Sequence, residues 1–475
     1  MNADVARLML LNGLIFLLGL GLLPLLRITS DSRELRSRWP LAYMIGVATL
    51  GTVGATLELV HVPLGLAEVA VLAVAAAAGG GFRLLDRRSR AAPEPAMDSE
   101  GRAERLSLAA GLVALGIGLT LAAKATHAYL VRPLREYDGW AIWGTKARAL
   151  YEFDGADTSV FANPYYDAPT HPLLLPSLEA IGFRTLGAFD PVLLHVQLGA
   201  LAVGFAAAAW VVLRPSSEPL LAGAAILAVL SAPAVFAQLG TNFADIPVAF
   251  FVALGIAALA GWLSSQAGWL LVVGAVFLAA GALTKSEGML FAAAALVPLL
   301  ALAGTRRRLL WRAGAAAAVV VVAVLPWRLF VARHGLRHPD YELSNLFDRT
   351  YLADTWYRVE PVTNELLRQL TNTGSWGLLL PLFGAALVVS ALRRGFAPAA
   401  FAAAWLVLSF VGLVLIYWIT VRPLEHNLFN TSNRTVATLL IGAGLVAPVL
   451  VGRRNPATRA PASTRPAGRS PRRAS

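Results

Sequence analysis

Long apolar segments recur along the whole chain, and they constrain the fold more than any other feature. Each is about as long as the ~20 residues that a helix needs to cross the hydrocarbon core of a bilayer. The chain is 57% hydrophobic and 14% charged over 475 residues, more apolar than a soluble domain of this size can hide. Thirteen segments qualify, near residues 8–26, 40–60, 63–82, 106–128, 191–213, 218–238, 246–264, 267–284, 288–304, 309–333, 373–392, 397–419 and 433–451. Because backbone groups must be satisfied within lipid, we predict an all-α polytopic membrane protein with about thirteen transmembrane helices.

The distribution of basic residues predicts the orientation, since cytoplasmic loops carry an excess of Lys and Arg. Basic clusters lie at Arg27–Arg38, Arg83–Arg105, Arg214, Arg306–Arg308, Arg393–Arg394 and from Arg453 onward. With thirteen spans, every cluster falls on one side, which we assign to the cytoplasm. A fourteenth apolar stretch, Pro169 to Phe189, would break this parity. We therefore expect it to lie in the outer interface or to re-enter the membrane. The N-terminus is then outside the cytoplasmic membrane and the C-terminus inside.

This topology divides the chain into four parts. We predict three N-terminal transmembrane helices (1–85), a cytoplasmic linker (86–105), a transmembrane core (106–451) and a basic cytoplasmic tail (452–475). The linker and tail are rich in Pro, Ser, Ala and Arg and are expected to be disordered. Seven of the 40 basic residues lie in that tail, so the net charge of +12 does not argue for nucleic acid. The chain has no cysteine, which excludes disulfides and metal sites built on thiolates.

Polar residues gather in the loops that this topology places outside. These loops include residues 129–190, 238–247, 284–288, 335–372 and 422–434. The cytoplasmic side has short basic turns and the two disordered pieces. In the loop 335–372, apolar residues form one helical stripe, Val362, Leu366, Leu367 and Leu370, which predicts a second interfacial helix above the site. The asymmetry indicates a reaction or binding site at the outer membrane–water boundary.

The stretch REYDGWAIWGTKARALY, residues 135–151, carries an unusual mixture of Trp and charge. Trp140 and Trp143 recur at helical spacing with further apolar residues, while Lys146 falls on another face. The pattern predicts an amphipathic helix that lies on the bilayer surface. Asp138 at its start either caps the helix or acts as a general base or metal-organising carboxylate. The tryptophans either anchor at the interface or present flat faces to a sugar or lipid head group.

Further ionisable residues lie at the same predicted boundary. They are His171 in THP, Asp245 in TNFADIPVAFF, Lys285 and Glu287 in TKSEG, and His426 and Arg434 in EHNLFNTSNR. Charges at a membrane boundary cost several kcal/mol unless they pair or face a polar cavity. These residues therefore either pair with one another or line a site. His171 alone is more typical of a hydrogen-bonded interfacial residue than of a ligand.

Together these motifs resemble integral-membrane glycosyltransferases of the GT-C fold class, the superfamily of protein O-mannosyltransferases and lipid A aminoarabinose transferases. The acid in the first outer loop, the WGTKARAL helix, PTHP, FADIPVAFF and LTKSEG carry the resemblance, which covers roughly residues 106–451. The three leading helices lie outside the pattern, and Glu58 and Glu68 within them have no role in it. Within that superfamily, the pattern looks similar to bacterial members.

The resemblance implies roles for individual residues. Asp138 falls on the catalytic or metal-associated carboxylate of the first loop, and Asp245 on the acid of the next outer loop. Many members carry an acidic pair in the first loop, whereas here the nearest other acid is Glu136. Binding of the lipid phosphate maps onto Lys285 and Arg434. A divalent cation, Mg²⁺ or Mn²⁺, held by Asp138 and Asp245, is also implied.

The expected reaction is an inverting hexosyl or pentosyl transfer from a polyprenyl-phosphate donor to a lipid, glycan or protein acceptor of the cell envelope. Cations would stabilise the leaving phosphate, and Asp138 would take the proton of the acceptor hydroxyl. No glycine-rich loop that could hold a nucleotide is visible, which fits a lipid-linked donor. We predict substrate contacts from Trp140, Trp143, Lys146, His171, Lys285, Glu287, His426 and Arg434.

Two other classes of protein remain open at this point. A transporter or flippase of a lipid-linked or amphiphilic solute would place charges and broken helices near the bilayer midplane, on symmetric repeats. The polar residues here cluster at one boundary, and the sequence shows no internal repeat. A non-catalytic membrane scaffold would leave that clustering without an explanation.

Overall fold

The structure is a computed structural model that describes residues 3–88, 102–129, 134–163, 166, 168–192, 194–304, 306–338, 340–393 and 396–452. The central part of the predicted linker, residues 89–101, and the predicted tail from residue 453 lie outside the described residues. Within those ranges the chain is helical. Its extended pairing is one isolated bridge between Tyr341 and Thr420.

Twenty-two α-helices form the described part of the chain. They are α1 (Ala3–Leu25), α2 (Ser32–Arg38), α3 (Ala42–Leu57), α4 (Leu66–Arg88), α5 (Arg102–Tyr129), α6 (Thr145–Glu152), α7 (Thr158–Phe161), α8 (Leu174–Leu186), α9 (Leu194–Leu213), α10 (Pro219–Ser231), α11 (Pro233–Gln238), α12 (Asp245–Ser265), α13 (Gly268–Thr284), α14 (Ser286–Ala303), α15 (Arg307–Arg333), α16 (Arg349–Asp354), α17 (Val359–Leu370), α18 (Thr373–Trp376), α19 (Leu379–Arg393), α20 (Phe396–Trp418), α21 (Leu424–Thr435) and α22 (Ala437–Val451). The all-α prediction is confirmed.

Each of the thirteen predicted segments coincides with an apolar helix. Ten stretches of the described chain are long and apolar enough to cross a membrane. The other three helices are shorter, with 13 residues in α10, 17 in α13 and 15 in α19. The architecture is therefore that of a polytopic helical membrane protein, while the count of thirteen crossings stays a prediction.

Contacts between loops divide the loops into two groups, one at each end of the helical bundle. At one end the Arg38 guanidinium lies 4.5 Å from the ring centre of Trp269, where loops predicted to be cytoplasmic meet. At the other end, loops predicted to be outside meet, as in the pair of Asp138 and Arg434. Helix α12, with 21 residues, connects the two ends and spans about 30 Å. The grouping of the loops follows the parity argument, and the identity of the cytoplasmic end stays a prediction.

The ambiguous segment from Pro169 to Phe189 forms the short helix α8. Its 13 residues span about 20 Å, less than the ~30 Å hydrocarbon core. All of its residues except Leu178 and Arg184 are buried, and it packs against α1, α3 and α6. The helix is therefore enclosed by protein rather than laid on the outside of the bundle. Its place in the membrane, at the outer interface or re-entrant, stays a prediction.

The three predicted N-terminal spans are α1, α3 and α4; α1 packs against the other two, and all three contact the core helix α8. Helix α3 contacts α8, α9 and α13. Glu58, at the end of α3, accepts hydrogen bonds from both terminal nitrogens of Arg184 in α8, at 2.6 and 3.3 Å. Arg184 also donates to the Leu150 carbonyl oxygen. This buried ion pair gives Glu58 a structural role that its sequence context did not reveal, since it fastens the N-terminal helices to the loop that carries Asp138.

The predicted helix in loop 335–372 is α17. Val362, Leu366 and Leu370 are buried against α20 and α21, as the stripe predicts. Leu367 is an exception, because it is 44% exposed. The Ser432 hydroxyl of α21 donates to Glu365 of α17 at 3.0 Å, two residues from Arg434. The helix thus packs beside the segment that carries Arg434.

Candidate functional site

Four separate segments bring five charged side chains into one row. Arg434 Nη1 of α21 lies 2.6 Å from Asp138 Oδ2 and 3.7 Å from Asp245 Oδ2 at the start of α12. Lys285 Nζ, between α13 and α14, lies 2.8 Å from Asp245 Oδ1 and 3.1 Å from Glu287 Oε1. The order is Asp138, Arg434, Asp245, Lys285, Glu287, and we call this set the charged row. All five residues were predicted site residues.

The charged row is largely buried, and buried charges are tolerated only when they are paired. The Asp245 side chain is 5% exposed, and those of Lys285 and Arg434 are each 11% exposed. Burial lowers the pKa of Lys285, but the carboxylates of Asp245 and Glu287 outweigh it and raise that pKa above its ordinary value. The ammonium group therefore stays charged. With three carboxylates and two cations, the row has a formal charge of −1.

Asp138 begins a π-helical turn, Asp138–Gly144, that precedes α6. Its carboxylate accepts a hydrogen bond from Arg434 and makes no capping bond to the turn, so the capping interpretation is wrong. A Cβ atom on Gly139 would lie 2.3 Å from the carbonyl oxygen of Thr241, so this position admits only glycine without movement of the backbone. That close approach brings the Asp138 turn against the segment before Asp245. Single π-turns occur frequently at functional sites.

His171 lies beside the row and links it to a second group of polar residues. Its Nδ1 is 2.9 Å from Ser286 Oγ, and its ring stacks on Trp143 at 5.1 Å. The His338 ring stands edge-on to His171 at 5.3 Å. Burial lowers the pKa of His171 well below its usual value, and it lowers the pKa of His338 to about 3. Both imidazoles are therefore neutral and can each donate one hydrogen bond and accept another.

The surface position predicted for Trp143 and Lys146 is wrong. Trp143 is 1% exposed, and Lys146 is fully buried. Lys146 Nζ donates to the carbonyl oxygens of Ala168, Pro169 and His171 at 3.1, 3.4 and 2.5 Å. Burial lowers the pKa of Lys146 well below its usual value. The amphipathic stretch thus turns these two side chains toward the protein, where Lys146 holds the loop before α8.

Trp140 and His426 are the two predicted site residues that remain exposed. Trp140 is 50% exposed and meets the Tyr137 ring edge-on at 5.5 Å. His426 is exposed on α21 and lies 3.2 Å from the Asn430 amide nitrogen. They stand two residues after Asp138 and eight before Arg434 in the chain. Neither forms an ion pair or hydrogen bond with the charged row.

A cavity of about 670 Å³ opens next to the row, between α14, α15, α20 and the segment 336–346. Its polar lining includes Ser286, Arg328, His338 and Tyr341, none of which was predicted as a site residue. Arg328 is exposed and forms no ion pair with the residues that the structure describes. The signal for Arg328 was present in the sequence, because it is a charge near the outer end of the apolar segment 309–333. Ser286 lies within the TKSEG motif but was not singled out, and His338 and Tyr341 belong to no motif.

The predicted divalent-cation site does not fit the arrangement of the carboxylates. Arg434 lies between Asp138 and Asp245 and contacts both, so its positive charge occupies the position that a shared cation would take. In the described ranges, no group of three or more His, Asp or Glu side chains could hold a metal ion. Mg²⁺ requires near-octahedral oxygen coordination. The metal stays an implication of the resemblance, and no step below uses it.

No protein-family model, curated protein or solved structure matches the chain. The fold and the site define a class, an integral helical membrane protein with a buried charged row beside an apolar-lined cavity.

Proposed function

We propose that the protein is a membrane glycosyltransferase that moves a sugar from a polyprenyl-phosphate donor to an acceptor at the outer face of the membrane. The observation that supports this most is the charged row, assembled from four distant segments at one end of the bundle and bordered by the cavity. Such a site presents carboxylates, cations and neutral imidazoles to a substrate whose other end is apolar. A GT-C-type enzyme needs this combination at the membrane boundary.

The cavity suits the apolar part of a lipid-linked donor. Its walls include Leu290 of α14, Val331 of α15, and Leu415, Ile416 and Ile419 of α20. Its volume is within the ~300–1,000 Å³ range of small-molecule sites. A prenyl chain lying between these helices would place its phosphate near the polar lining of the cavity.

The balance of charge indicates where that phosphate would bind. The row already has a formal charge of −1, so an anion is disfavoured there unless a further cation takes part. Arg328 supplies that cation from the cavity wall, and both Arg328 and Lys285 lie close enough to His338 to lower its pKa. We assign the phosphate to Arg328 and Lys285, which stabilise the charge that develops on the leaving group. Arg434 instead positions Asp138 and Asp245.

Exposure separates the roles of the carboxylates. The side chain of Asp138 is 28% exposed, compared with 5% for Asp245 and 17% for Glu287. Asp138 is the carboxylate that an acceptor hydroxyl reaches most easily. It takes the hydroxyl proton while the acceptor oxygen bonds to the anomeric carbon. The bond from that carbon to the phosphate oxygen breaks, and polyprenyl phosphate leaves with the electron pair. Asp245 acts by holding Lys285 and Arg434.

A transporter or flippase is the second candidate, and one observation favours it. Glu179 in the enclosed helix α8 is 3% exposed, and neither of its carboxylate oxygens has a hydrogen-bond partner among the described residues. Burial raises the pKa of Glu179 to about 8, although the Asn242 side chain lowers it. Buried ionisable groups of this kind mark proton pathways in transporters.

The test is an assay of purified protein in proteoliposomes with a panel of labelled polyprenyl-phosphate sugars and candidate acceptors. We expect donor-dependent formation of a glycosylated acceptor, and its loss in Asp138→Asn. Asp157→Asn is the matched control, because Asp157 lies in the same loop, caps α7 and does not belong to the charged row. Movement of the intact donor between leaflets, without cleavage of the sugar–phosphate bond, would show that the protein is a flippase and not a transferase.

A further inference from the structure

A second cavity, of about 510 Å³, lies among the loops at the opposite end of the bundle. Its lining includes Ser37, Arg38, Trp210, Arg214, Ser265 and Trp269. Helix α12 begins at Asp245 in the charged row and ends at Ser265 in this cavity, so the two places are about 30 Å apart. That distance equals the thickness of the hydrocarbon core. The second cavity therefore lies at the other membrane boundary, which the basic clusters assign to the cytoplasm.

The cavity combines cations with aromatic rings. The Arg38 guanidinium lies 4.5 Å from the centre of the Trp269 ring, and that of Arg214 lies 5.7 Å from the centre of the Trp210 ring. Stacking on an aromatic ring holds a guanidinium in place, while the N–H groups still point outward in the plane of the guanidinium. Glu34 pairs with Arg38 at 3.0 Å and offsets part of its charge. Arg214 brings a second guanidinium to the lining of the same cavity.

The backbone adds to this preference for anions. Helix α13 has 17 residues and begins at Gly268, between the lining residues Ala267 and Trp269. The first N–H groups of a helix carry partial positive charge and bind phosphates. The α13 N-terminus and two arginines therefore border one cavity. The tryptophans are partly exposed, as expected for rings at the head-group level of a membrane.

We propose that this cavity binds the head group of an anionic phospholipid from the adjacent leaflet. The phosphate lies between Arg38, Arg214 and the α13 N-terminus, and the glycerol backbone contacts the two Trp rings. The acyl chains then run along the apolar surface of the bundle beside Val211, which lines the same cavity. An amphiphile is favoured over a free anion because the cavity joins an apolar wall to a cationic one at membrane depth.

The test is native mass spectrometry of the full-length protein in neutral detergent, with phosphatidylglycerol and phosphatidylcholine of identical acyl chains. We expect phosphatidylglycerol to bind more tightly to the wild type. Arg214→Gln should weaken that binding about fivefold, which corresponds to the ~1 kcal/mol that a basic residue contributes near anionic lipid. Arg38→Gln/Arg214→Gln should remove the preference for phosphatidylglycerol. Phosphatidylcholine binding should not change in either variant.

Arg307→Gln/Arg308→Gln is the matched control. These arginines start α15, are exposed at the same end of the bundle, and do not line the cavity. An equal loss in this control would mean that general positive charge attracts the lipid, and would overturn the site. So would equal binding of the two lipids by the wild type. Arg38 also donates to the Ile28 carbonyl oxygen, so its variant can disturb α2; Arg214→Gln alone must therefore show the loss. If inorganic phosphate displaces phosphatidylglycerol mole for mole, the site binds a free anion and the lipid proposal is wrong.

Discussion

Replacing Asp138 by Asn distinguishes between two possible roles of this carboxylate, a catalytic one and one limited to holding Arg434 in place. The ion pair is 2.6 Å long, with Asp138 28% and Arg434 11% exposed. A hydrogen bond to a charged group is worth about 1.5–3 kcal/mol, and Asn keeps an oxygen that can still accept. Arg434 also retains Asp245 at 3.7 Å. We therefore expect Asp138→Asn to lose only about 1–2 kcal/mol in the free energy of unfolding.

The expected loss of activity is larger. Removing a positioned general base slows a reaction roughly a hundredfold or more, equivalent to about 2.7 kcal/mol in the barrier. The assay is donor-dependent sugar transfer per folded molecule, with the folded fraction taken from size-exclusion chromatography and thermal unfolding. A protein that is only mildly destabilised has the same turnover per folded molecule as the wild type. A hundredfold loss of turnover per folded molecule therefore means that the chemical step itself is slower.

Arg434→Gln is the companion variant. If Asp138 acts only through its pair with Arg434, then Asp138→Asn, Arg434→Gln and the double variant should lose equal activity, because residues that act as a unit fail together. If Asp138 removes the proton, Arg434→Gln leaves the base in place, and Asp138→Asn should be the slower enzyme. Transfer by Asp138→Asn at close to the wild-type rate would refute the role assigned to this carboxylate.

Three further outcomes follow from burial and topology. Asp245→Asn deprives the buried Lys285 ammonium of its nearer carboxylate, and we expect a loss of about 3–5 kcal/mol in unfolding free energy, measured by denaturation in micelles. The Asp245→Asn/Lys285→Gln double variant should lose less than the sum of the losses in the two single variants. Because burial raises the pKa of Glu179 from 4.5 to about 8, its protonated form stabilises the native state fully below pH 4.5, and this contribution is lost as the pH rises through 8. The unfolding temperature of the wild type should therefore fall relative to Glu179→Gln between pH 5 and 8, and parallel profiles would contradict this. In this cysteine-free chain, Ser159→Cys should react with an impermeant thiol reagent in intact cells and Ser37→Cys should not, whereas the reverse pattern would invert the topology.

The positions of the helices could be predicted from the sequence because the apolar segments record them directly. The same signal could not distinguish burial in protein from burial in lipid. The segment from Pro169 to Phe189 illustrates this, since it is apolar enough for either and the structure encloses it between other helices. The partner of Glu58 was equally hidden, because Arg184 is 126 residues away and no local pattern connects them.

The members of the charged row could be chosen from the sequence, but their pairing could not. A charge at a membrane boundary is expensive, so Asp138, Asp245, Lys285 and Arg434 stood out against apolar surroundings. Which cation meets which carboxylate depends on helix packing. Helical periodicity also misplaced Lys146, because the carbonyl oxygens of the following loop form a polar pocket around it that periodicity does not reveal.

The separation along the chain of the paired charges imposes an order on assembly during synthesis. Asp245 and Lys285 are 40 residues apart, whereas Asp138 and Arg434 are 296 apart. At the usual ~5–20 residues per second, roughly 15–60 s pass between the translation of Asp138 and that of Arg434. Until Arg434 is made, the carboxylate of Asp138 has no Arg434 beside it, and Asp245 can pair only with Lys285, which follows it by 40 residues. A chain that stops before α21 lacks the Arg434 guanidinium. Only a polypeptide synthesised through α21 can therefore complete the charged row, and a chain truncated before α21 cannot.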